Sequence, residues 1–359
     1  MDKINVLVMF GGVSGEYEVS LLSASSVINN IPKDKYNVIM LGITKDGKWY
    51  LFENEDLELI QKDNWQDEAY TTPAYLLPDR SVKGIFVKRE SGDEIIPIDV
   101  VFPVLHGQNG EDGAMQGLFQ LADIPFVGCD MTSSVVSMDK IFTNTVADNS
   151  NIRQAKWIYT TNGDYNEDAF VAEAEEKLGY PCFIKPAVAG SSVGITKATN
   201  REEFIKGMEV AFSVCRRVLV EEGINGHEVE CAVLGNDSPI SSEVGQIVAC
   251  NDFYDYEAKY ITGTSALYIP AKIDEDTRLK IRDLSIKVFK AMGCRGLSRI
   301  DFFVEKDTGE IYFNELNTLP GFTSISMYPK LFAHSGIAYP DLLDKLIELG
   351  IEDAADRRY

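Results

Sequence analysis

Three long apolar runs dominate the first third of the chain. They cover 5–10, 38–43 and 99–105, and none of them alternates regularly with polar residues. Runs of this kind are typical of strands that are buried on both faces of a parallel sheet. A glycine-rich turn at 11–15 and a helical pattern over 17–28 follow the first run. The pattern therefore predicts that the chain opens with an α/β unit.

Beyond this unit, short apolar runs alternate with patterns that have the helical period, which favours an α/β class throughout. The polar segment 53–93, interrupted by Pro73 and Pro78, is instead expected to be a surface excursion. We divide the chain into three predicted domains: 1–139, with the parallel sheet, 140–227 and 228–359.

Carboxylate and amide side chains recur on a predicted hairpin formed by 299–304 and 311–317. Alternation along a strand places Glu315 and Asn317 on one face, where Asp301 from the partner strand can join them. Three oxygen donors, too few to complete a shell, suit Mg²⁺ that keeps water and phosphate as its other ligands. The hairpin therefore predicts a site for magnesium and a nucleotide, with a solvated acidic hairpin as the alternative.

Composition narrows the possible partners. The 359 residues carry a formal net charge of -22, and 45% of them are apolar. So acidic a chain is not expected to bind nucleic acid or an anionic membrane surface, which attract clustered Lys and Arg. Six scattered cysteines without metal-binding spacing predict reduced thiols in a cytoplasmic protein. Neither a signal peptide nor a membrane span is expected from the apolar runs.

Small residues at 190–194 form a loop between two predicted strands, where backbone N–H groups can approach an anion closely. The loop lacks the G-K-[ST] ending of a Walker A sequence, and alone it would more often be a plain hairpin. Lys185 ends the preceding apolar strand and favours the anion, because a buried lysine is costly without a partner. Lys140 and Lys259 add two cations. Three lysines and a metal site together predict a nucleoside triphosphate.

Eight motifs, in order along essentially the whole chain, resemble those of the D-alanine–D-alanine ligases, ATP-grasp enzymes of peptidoglycan synthesis. They are EVSL at 18–21, HGQNGEDG at 106–113, MDK at 138–140, KPAVAGSSVG at 185–194, VEEG at 220–223, DYEAKY at 255–260, SRID at 298–301 and NELNTLPGFTS at 314–324. The resemblance implies a three-domain ATP-grasp fold, with ATP held between the central and C-terminal domains and with substrate bound by the N-terminal one. It further implies ATP-dependent ligation of two D-alanines through an acylphosphate, Mg²⁺ or Mn²⁺ as cofactor, a homodimer, and a role in cell-wall biogenesis and cell shape.

Carried over position by position, the resemblance assigns the hairpin residues Asp301, Glu315 and Asn317 to two Mg²⁺ ions. A second group would hold ATP: Lys140 and Lys185 at the phosphates, Ser192 in the loop that covers them, Lys259 at the transferring phosphoryl group, Glu221, Glu222 and Ile224 at the adenine, and Glu228 at the ribose.

A third group would act on the amino acids: Glu18 at the ammonium of the first D-alanine, His106 near its carboxylate, Ser191 and Tyr260 bonded to Glu18, Arg299 and the backbone of Gly321 at the oxyanion of the tetrahedral intermediate, and Ser326 at the carboxylate of the second amino acid. The segment 252–270 is predicted to close as a lid, because an acylphosphate would hydrolyse in a wet site.

The second amino acid is left open between D-alanine and D-serine. Asn109, Gly235 and the stretch 264–268 resemble the vancomycin-resistance ligases that make D-alanyl-D-serine. Those enzymes carry an arginine at the position of Met327 and an acidic residue at that of Gly245. The apolar Met327 and the glycine therefore favour D-alanine.

Three other products or roles are weighed. The tyrosine at position 260 stands where the D-lactate ligases carry histidine, which favours an amine over an alcohol acceptor. A non-catalytic ATP-grasp protein would be expected to lack a metal ligand or Arg299, and all are present. An ATP-grasp ligase with another acceptor would not be expected to share EVSL, HGQNGEDG and DYEAKY together.

Overall fold

The computed structural model describes residues 3–248 and 266–356. Within them, the strands of the first sheet are β1 (Ile4–Gly11), β2 (Tyr36–Ile43), β3 (Trp49–Phe52), β4 (Thr71–Leu76), β5 (Gly84–Val87), β6 (Glu94–Pro97) and β7 (Val100–Val104). Their spatial order is β6-β5-β4-β3-β2-β1-β7. β1 pairs in parallel with both β2 and β7, and these three strands are the apolar runs of the sequence. The predicted parallel pairing of these three strands is confirmed, within a sheet whose other strands pair antiparallel.

The segment 53–93 is more regular than its sequence suggests. Besides a short helix, α2 (Glu58–Gln61), it contributes β4 and β5, which extend the sheet antiparallel from β3. Pro73 lies in β4 opposite Tyr50. Side chains of both strands, Ala74, Leu76, Ile85 and Val87, are buried in the core of the sheet. The expected surface excursion is therefore wrong, because alternate residues of these short strands suffice to bury one face.

Helices α1 (Tyr17–Asn30) and α3 (Ala114–Ala122) follow β1 and β7. The elements up to the end of the second sheet are α4 (Met131–Met138), α5 (Lys140–Asn149), β8 (Trp157–Thr161), α6 (Glu167–Lys177), β9 (Cys182–Pro186), β10 (Thr196–Ala198), α7 (Arg201–Val214) and β11 (Arg217–Glu222). The second sheet has the order β10-β9-β11-β8 and is antiparallel. Side chains of Asp139, Asn166 and Asn200 cap the N-termini of α5, α6 and α7, as these residue types do at helix starts.

The third sheet has the order β14-β13-β12-β15-β16, and its neighbouring strands are antiparallel. Its elements and the helices around it are β12 (Gly226–Gly235), β13 (Ile240–Val248), β14 (Ala266–Tyr268), α8 (Glu275–Ala291), β15 (Gly296–Glu305), β16 (Ile311–Asn317), α9 (Met327–His334) and α10 (Tyr339–Asp356). Val229, Cys231 and Val233 of β12 join the core beneath α8, whereas Ala232 and Leu234 join a core with α9 and α10. The alternation therefore gives the sheet two differently occupied faces.

One apolar core joins the two ends of the chain. It contains Val6 and Phe10 of β1 as well as Tyr328 of α9 and Leu342 of α10. Phe322 packs edge-on against Phe102 of β7 and also contacts Tyr328. The C-terminal helices therefore fix the first sheet against the third. No helix of the described ranges is long and apolar enough to cross a membrane.

Candidate active site

A cavity of about 460 Å³ is lined by all three parts of the structure. The first sheet contributes Glu16 and His106 from the loops that follow β1 and β7. The second contributes Lys140 and the loop between β9 and β10. The third contributes the β15–β16 hairpin and the segment 318–321 that follows it. Carboxyl ends of parallel strands are common ligand sites in open α/β sheets, as these loops of the first sheet illustrate.

Arg299, Glu315 and Asn317 of the hairpin line the cavity, and Asp301 lies beside them on the same face. Asp301 is paired with Glu315 across the two strands, and Arg299 is paired with Asn317. Paired residues of antiparallel strands lie on one face, so these four side chains form a cluster. Asp301 is 2% exposed. Strand register therefore holds the predicted metal-binding side chains together without a bound ion.

A β-bulge makes this arrangement compatible with the core. The register between the strands shifts after Asp301, whose neighbour Phe302 pairs with Phe313. Unbroken alternation would put Phe313 and Glu315 on the same face. With the extra residue, Phe313 and Leu316 both enter the core beneath α8. The bulge was not foreseen from the sequence, although the shared face of Glu315 and Asn317 was.

An ion-pair cluster surrounds Asp301. Arg299 donates from Nε to Oδ1 at 2.8 Å and from Nη2 to Oδ2 at 2.7 Å, and the Asn317 amide donates to Oδ2 at 3.1 Å. No group of three or more His, Cys, Asp or Glu within the described ranges is arranged to hold a metal. The hairpin instead offers two carboxylates and one amide, a hard-oxygen set that suits Mg²⁺ completed by water and phosphate. The residues therefore fit the expected ion.

Two lysines lie beside Glu315. Lys185 forms an ion pair of 2.5 Å with Glu221, and Lys140 donates from Nζ to the Ala189 carbonyl at 2.8 Å. Burial lowers the pKa of Lys140. The nearby charge of Glu315 raises this pKa and that of Lys185 lowers it further, but burial has the largest effect. Burial also disfavours the charge on Lys185, but Glu221 and Glu315 outweigh it and raise that pKa. The lysines and the metal cluster thus share one electrostatic environment.

The loop between β9 and β10 has an unusual backbone. Ser191 and Ser192 both adopt the left-handed conformation, with φ of 49° and 62°. Consecutive non-glycine residues in this region are uncommon, and such strain is found mostly at functional sites. Lys140 steadies the approach to the loop, since its backbone N–H donates to the Ala187 carbonyl at 2.9 Å. Both serines line the cavity.

Glu18 does not reach the cavity, so its predicted bond to Ser191 is wrong. It lies on the solvent face of α1, 57% exposed, in an ion pair of 2.5 Å with Lys45. Ser191 donates its hydroxyl hydrogen bond to Glu16 instead. Because α1 begins at Tyr17, Glu16 is the last residue of the turn and faces the loop after β7. The sequence signal that identifies it is the turn Gly11–Gly15, not the EVSL motif.

His106 is buried at the end of β7. Its Nδ1 lies 3.0 Å from the Leu319 carbonyl and its Nε2 lies 3.2 Å from the Ser23 hydroxyl. Burial works to lower the pKa of His106, but the Glu111 carboxylate, 3.6 Å from Nδ1, outweighs it and raises the pKa. His106 therefore connects the first sheet with the segment that follows the hairpin. It also lines the cavity.

The start of α9 closes the end of the cavity that lies away from the loops of the first sheet. Ser326 Oγ accepts from the Thr323 N–H at 3.0 Å, and a side chain on Gly321 would press against that same oxygen. Met327 is 5% exposed. Its Cε occupies the space that a Cβ on Gly245 would need. The two positions that the sequence singled out for the second amino acid are therefore in direct contact.

The residues predicted at the adenine lie beside this cavity and do not line it. Glu221 is buried and accepts from the Asn144 amide at 2.9 Å, and Glu222 accepts from the Lys156 N–H at 2.8 Å. Ile224 lies between β11 and β12, and Glu228 lies in β12, where its charge raises the pKa of Lys185. Lys259 and Tyr260, together with 252–265 of the predicted lid, lie outside the described residues.

Four charged residues that line the cavity were not predicted from the sequence: Glu16, Glu111, Glu230 and Lys330. Glu111 belongs to the HGQNGEDG motif, which could have indicated it. Glu230 is a carboxylate within a run of buried strand residues, and a charge in such a run is itself a sign of a specific partner. Lys330 carries no comparable signal, because a lysine on a helix is most often solvated.

Comparisons with known proteins identify the family of the chain. Models described as "D-ala D-ala ligase N-terminus" and "D-ala D-ala ligase C-terminus" match residues 5–129 and 146–348. A D-alanine–D-alanine ligase of Ruminiclostridium cellulolyticum is 49% identical over 100% of this chain and 98% of its own.

Two solved structures are also similar. The VanG D-Ala:D-Ser ligase of Enterococcus faecalis superposes with a TM-score of 0.89 at 44% identity, over 97% of this chain and all of the other. The D-alanine–D-alanine ligase of Coxiella burnetii does so with a TM-score of 0.88 at 33% identity, over 99% and 96%.

Proposed function

The chain belongs to the D-alanine–D-alanine ligase family, and we propose that it joins two D-alanine molecules at the cost of one ATP. The carboxylate oxygen of the first D-alanine attacks the γ-phosphorus and ADP leaves, which gives an acylphosphate. The amine of the second D-alanine then attacks the acyl carbon, phosphate leaves and the amine loses a proton. The observation that carries the proposal is one cavity that joins Glu16, Lys140, the serine loop and the hairpin cluster.

Mg²⁺, when bound, would supply Lewis-acid polarisation of the ATP phosphates. Asp301, Glu315 and Asn317 are the residues that would hold it, since they share a face and offer oxygen donors. Lys140 and Lys185 would neutralise the phosphates of ATP, and the backbone N–H groups near Ser192 would bond to them. Lys259 would act at the transferring group. Glu221, Glu222, Ile224 and Glu228 would surround the nucleoside.

The first D-alanine would lie between the loops of the first sheet and the serine loop. Glu16 replaces Glu18 in this proposal, because its carboxylate faces the cavity and accepts from Ser191. It would bind the substrate ammonium, with His106 near the carboxylate. Arg299 and the Gly321 backbone would stabilise the oxyanion of the tetrahedral intermediate, as preorganised donors do.

The second D-alanine would place its carboxylate at Ser326 and its methyl group near Met327. An apolar side chain suits a methyl group, whereas a serine hydroxyl would lose its water without gaining a partner. Gly245 offers no side chain to replace that partner, since Met327 fills the adjacent space. D-serine remains the second candidate, because the VanG D-Ala:D-Ser ligase is 44% identical to this chain.

The deciding experiment measures ADP release and dipeptide products with D-alanine alone, with D-alanine plus D-serine and with D-alanine plus D-lactate. We expect D-alanyl-D-alanine as the main product of an equal mixture. No ADP release with D-alanine alone would refute the proposal. A predominance of D-alanyl-D-serine would instead establish the second candidate.

We further propose a cytoplasmic homodimer that serves cell-wall synthesis, divided into domains at 1–139, 140–227 and 228–359. The three sheets support this division, since the first two lie within the first two ranges and the third begins at Gly226, two residues before the third range. Size-exclusion chromatography with light scattering would test the dimer, and limited proteolysis near 139 and 227 would test the boundaries.

A further inference from the structure

Glu230 is a buried carboxylate that lines the cavity. It lies on β12, paired with Asp301 of β15 on one side and with Gly245 of β13 on the other. It is 3% exposed. An ionised carboxylate buried to this extent is strongly destabilising unless a cation and hydrogen bonds compensate it. The identity of its cationic neighbour therefore indicates why the residue is there.

That neighbour is Arg299. Its Nε lies 3.1 Å from Glu230 Oε2 as an ion pair, whereas the N–H groups of Nε and Nη2 donate to the two oxygens of Asp301, at 2.8 and 2.7 Å. A guanidinium has five N–H donors in a fixed plane, so it can serve two carboxylates that flank it. Arg299 is thus shared between Glu230 and the predicted metal ligand Asp301.

We propose that Glu230 is a positioning residue, which retains the guanidinium of Arg299 when the oxygens of Asp301 turn to a metal ion. The inference rests on the proposed function, in which Asp301 binds Mg²⁺ and Arg299 faces the oxyanion. Arg299 and a divalent cation compete for the same two oxygens. Glu230 gives the displaced guanidinium a second anion at almost the same place, so Arg299 stays in the cavity.

The balance of charge supports this role. Glu230 and Asp301 are two carboxylates that share the guanidinium of Arg299, so the guanidinium keeps an anionic neighbour when Asp301 turns to a cation. Without Glu230, Arg299 would bind Asp301 more firmly. The oxygens of Asp301 would then be less available to a metal ion. Removal of the charge at Glu230 should therefore weaken metal binding through Arg299, in addition to any direct effect of its field.

The first test measures Mn²⁺ binding to the enzyme with ADP and without amino acids, by electron paramagnetic resonance of the free ion. A double-mutant cycle combines Glu230→Gln with Arg299→Leu, since such cycles isolate coupling between neighbours. We expect Glu230→Gln to weaken Mn²⁺ binding about tenfold when Arg299 is present and about threefold or less when it is absent. An equal loss in both backgrounds would overturn the proposal.

The second test separates positioning from folding. Glu230→Gln should lower kcat about thirtyfold and leave the KM for ATP and D-alanine within about threefold, because the affected group acts in the transition state. Glu230→Asp keeps the charge but withdraws it by one methylene, and should lower kcat less while preserving Mn²⁺ binding. The control is Glu243→Gln on the neighbouring strand β13, which pairs with Arg278 at 3.5 Å outside the cavity lining.

Wild-type kcat in Glu230→Gln, or in Glu230→Asp should the first variant fail to fold, would refute the role. Failure of the wild-type enzyme to make dipeptide, with the Mn²⁺ coupling intact, would refute the proposed function alone. Active wild-type enzyme without the coupling would refute only the positioning role of Glu230.

Discussion

The two walls of the cavity are built by different means. On the hairpin wall, strand register opposes Asp301 to Glu315, and the side chains are fixed by backbone pairing along β15 and β16. On the loop wall, Glu16 and Ser191 come from separate sheets and meet through a single side-chain hydrogen bond. The hairpin wall is therefore preorganised by local structure, whereas the loop wall depends on the docking of one sheet against another.

The same difference appears in the backbone. The hairpin tolerates one bulge and otherwise keeps ordinary strand geometry. The loop wall concentrates left-handed residues, with Gly107, Ser191 and Ser192 at φ of 69°, 49° and 62°. Left-handed residues other than glycine store strain that only surrounding contacts maintain. Mutations on the loop wall should therefore affect substrate binding and stability together, while those on the hairpin wall should affect chemistry first.

The largest effect is expected on the hairpin wall. Glu315→Gln keeps the shape of the side chain and removes one ligand charge beside ATP, which should lower kcat on the order of a hundredfold or more. The measurement is steady-state ADP release at saturating Mg²⁺. Glu310→Gln, on the exposed turn and paired with Arg153, is the matched control and should retain normal rates. Near-normal activity of Glu315→Gln would show that the hairpin is not the metal site.

The two walls also differ in how far the sequence determines them. Alternation along a strand is a local property, so the shared face of Asp301, Glu315 and Asn317 could be predicted. The loop wall depends on where α1 begins and on which turn meets the serine loop. A shift of two residues exchanges a residue that faces the cavity, Glu16, for a solvated one, Glu18. Motif matching alone does not resolve such a shift.

Glu230 and the bulge escaped prediction for a related reason. The pairing of β12 with β15 joins residues about seventy positions apart, and only this pairing reveals that Glu230 faces Asp301. The strands β4 and β5 were missed because they are only six and four residues long and because β4 contains a proline. Parallel apolar strands, by contrast, were evident because both of their faces are buried.

The second prediction tests the loop wall directly through a matched pair. Glu16→Gln should lower kcat/KM for D-alanine about ten- to a hundredfold, because a charged partner of Ser191 and of the substrate ammonium is lost. Glu18→Gln should remain within about twofold, since its exposed ion pair with Lys45 contributes little. If Glu18→Gln were the more damaging variant, the assignment of the ammonium site to Glu16 would be wrong.

The third prediction separates crowding from backbone strain on the same wall. Gly107 and Gly309 have nearly the same φ, 69° and 70°, but a Cβ on Gly107 would press against the Glu16 carboxylate and one on Gly309 would contact nothing. Both alanine variants should lose about 1 to 2 kcal/mol of unfolding free energy. Only Gly107→Ala should also lose activity, about tenfold in kcat/KM for D-alanine. Equal activity in the two variants would contradict close packing at Glu16.

The smallest effect is expected at the acceptor end, where the apolar Met327 lines the cavity. Met327→Arg provides one hydrogen-bond donor for a serine hydroxyl, worth about 1 kcal/mol, or roughly fivefold in the ratio of D-alanyl-D-serine to D-alanyl-D-alanine. The measurement is product analysis from an equal mixture of D-alanine and D-serine, with Leu331→Met as the control because the Leu331 side chain also packs on Gly245. An unchanged product ratio in Met327→Arg would place acceptor selection elsewhere, in contacts made by the serine loop and by the residues that close over it.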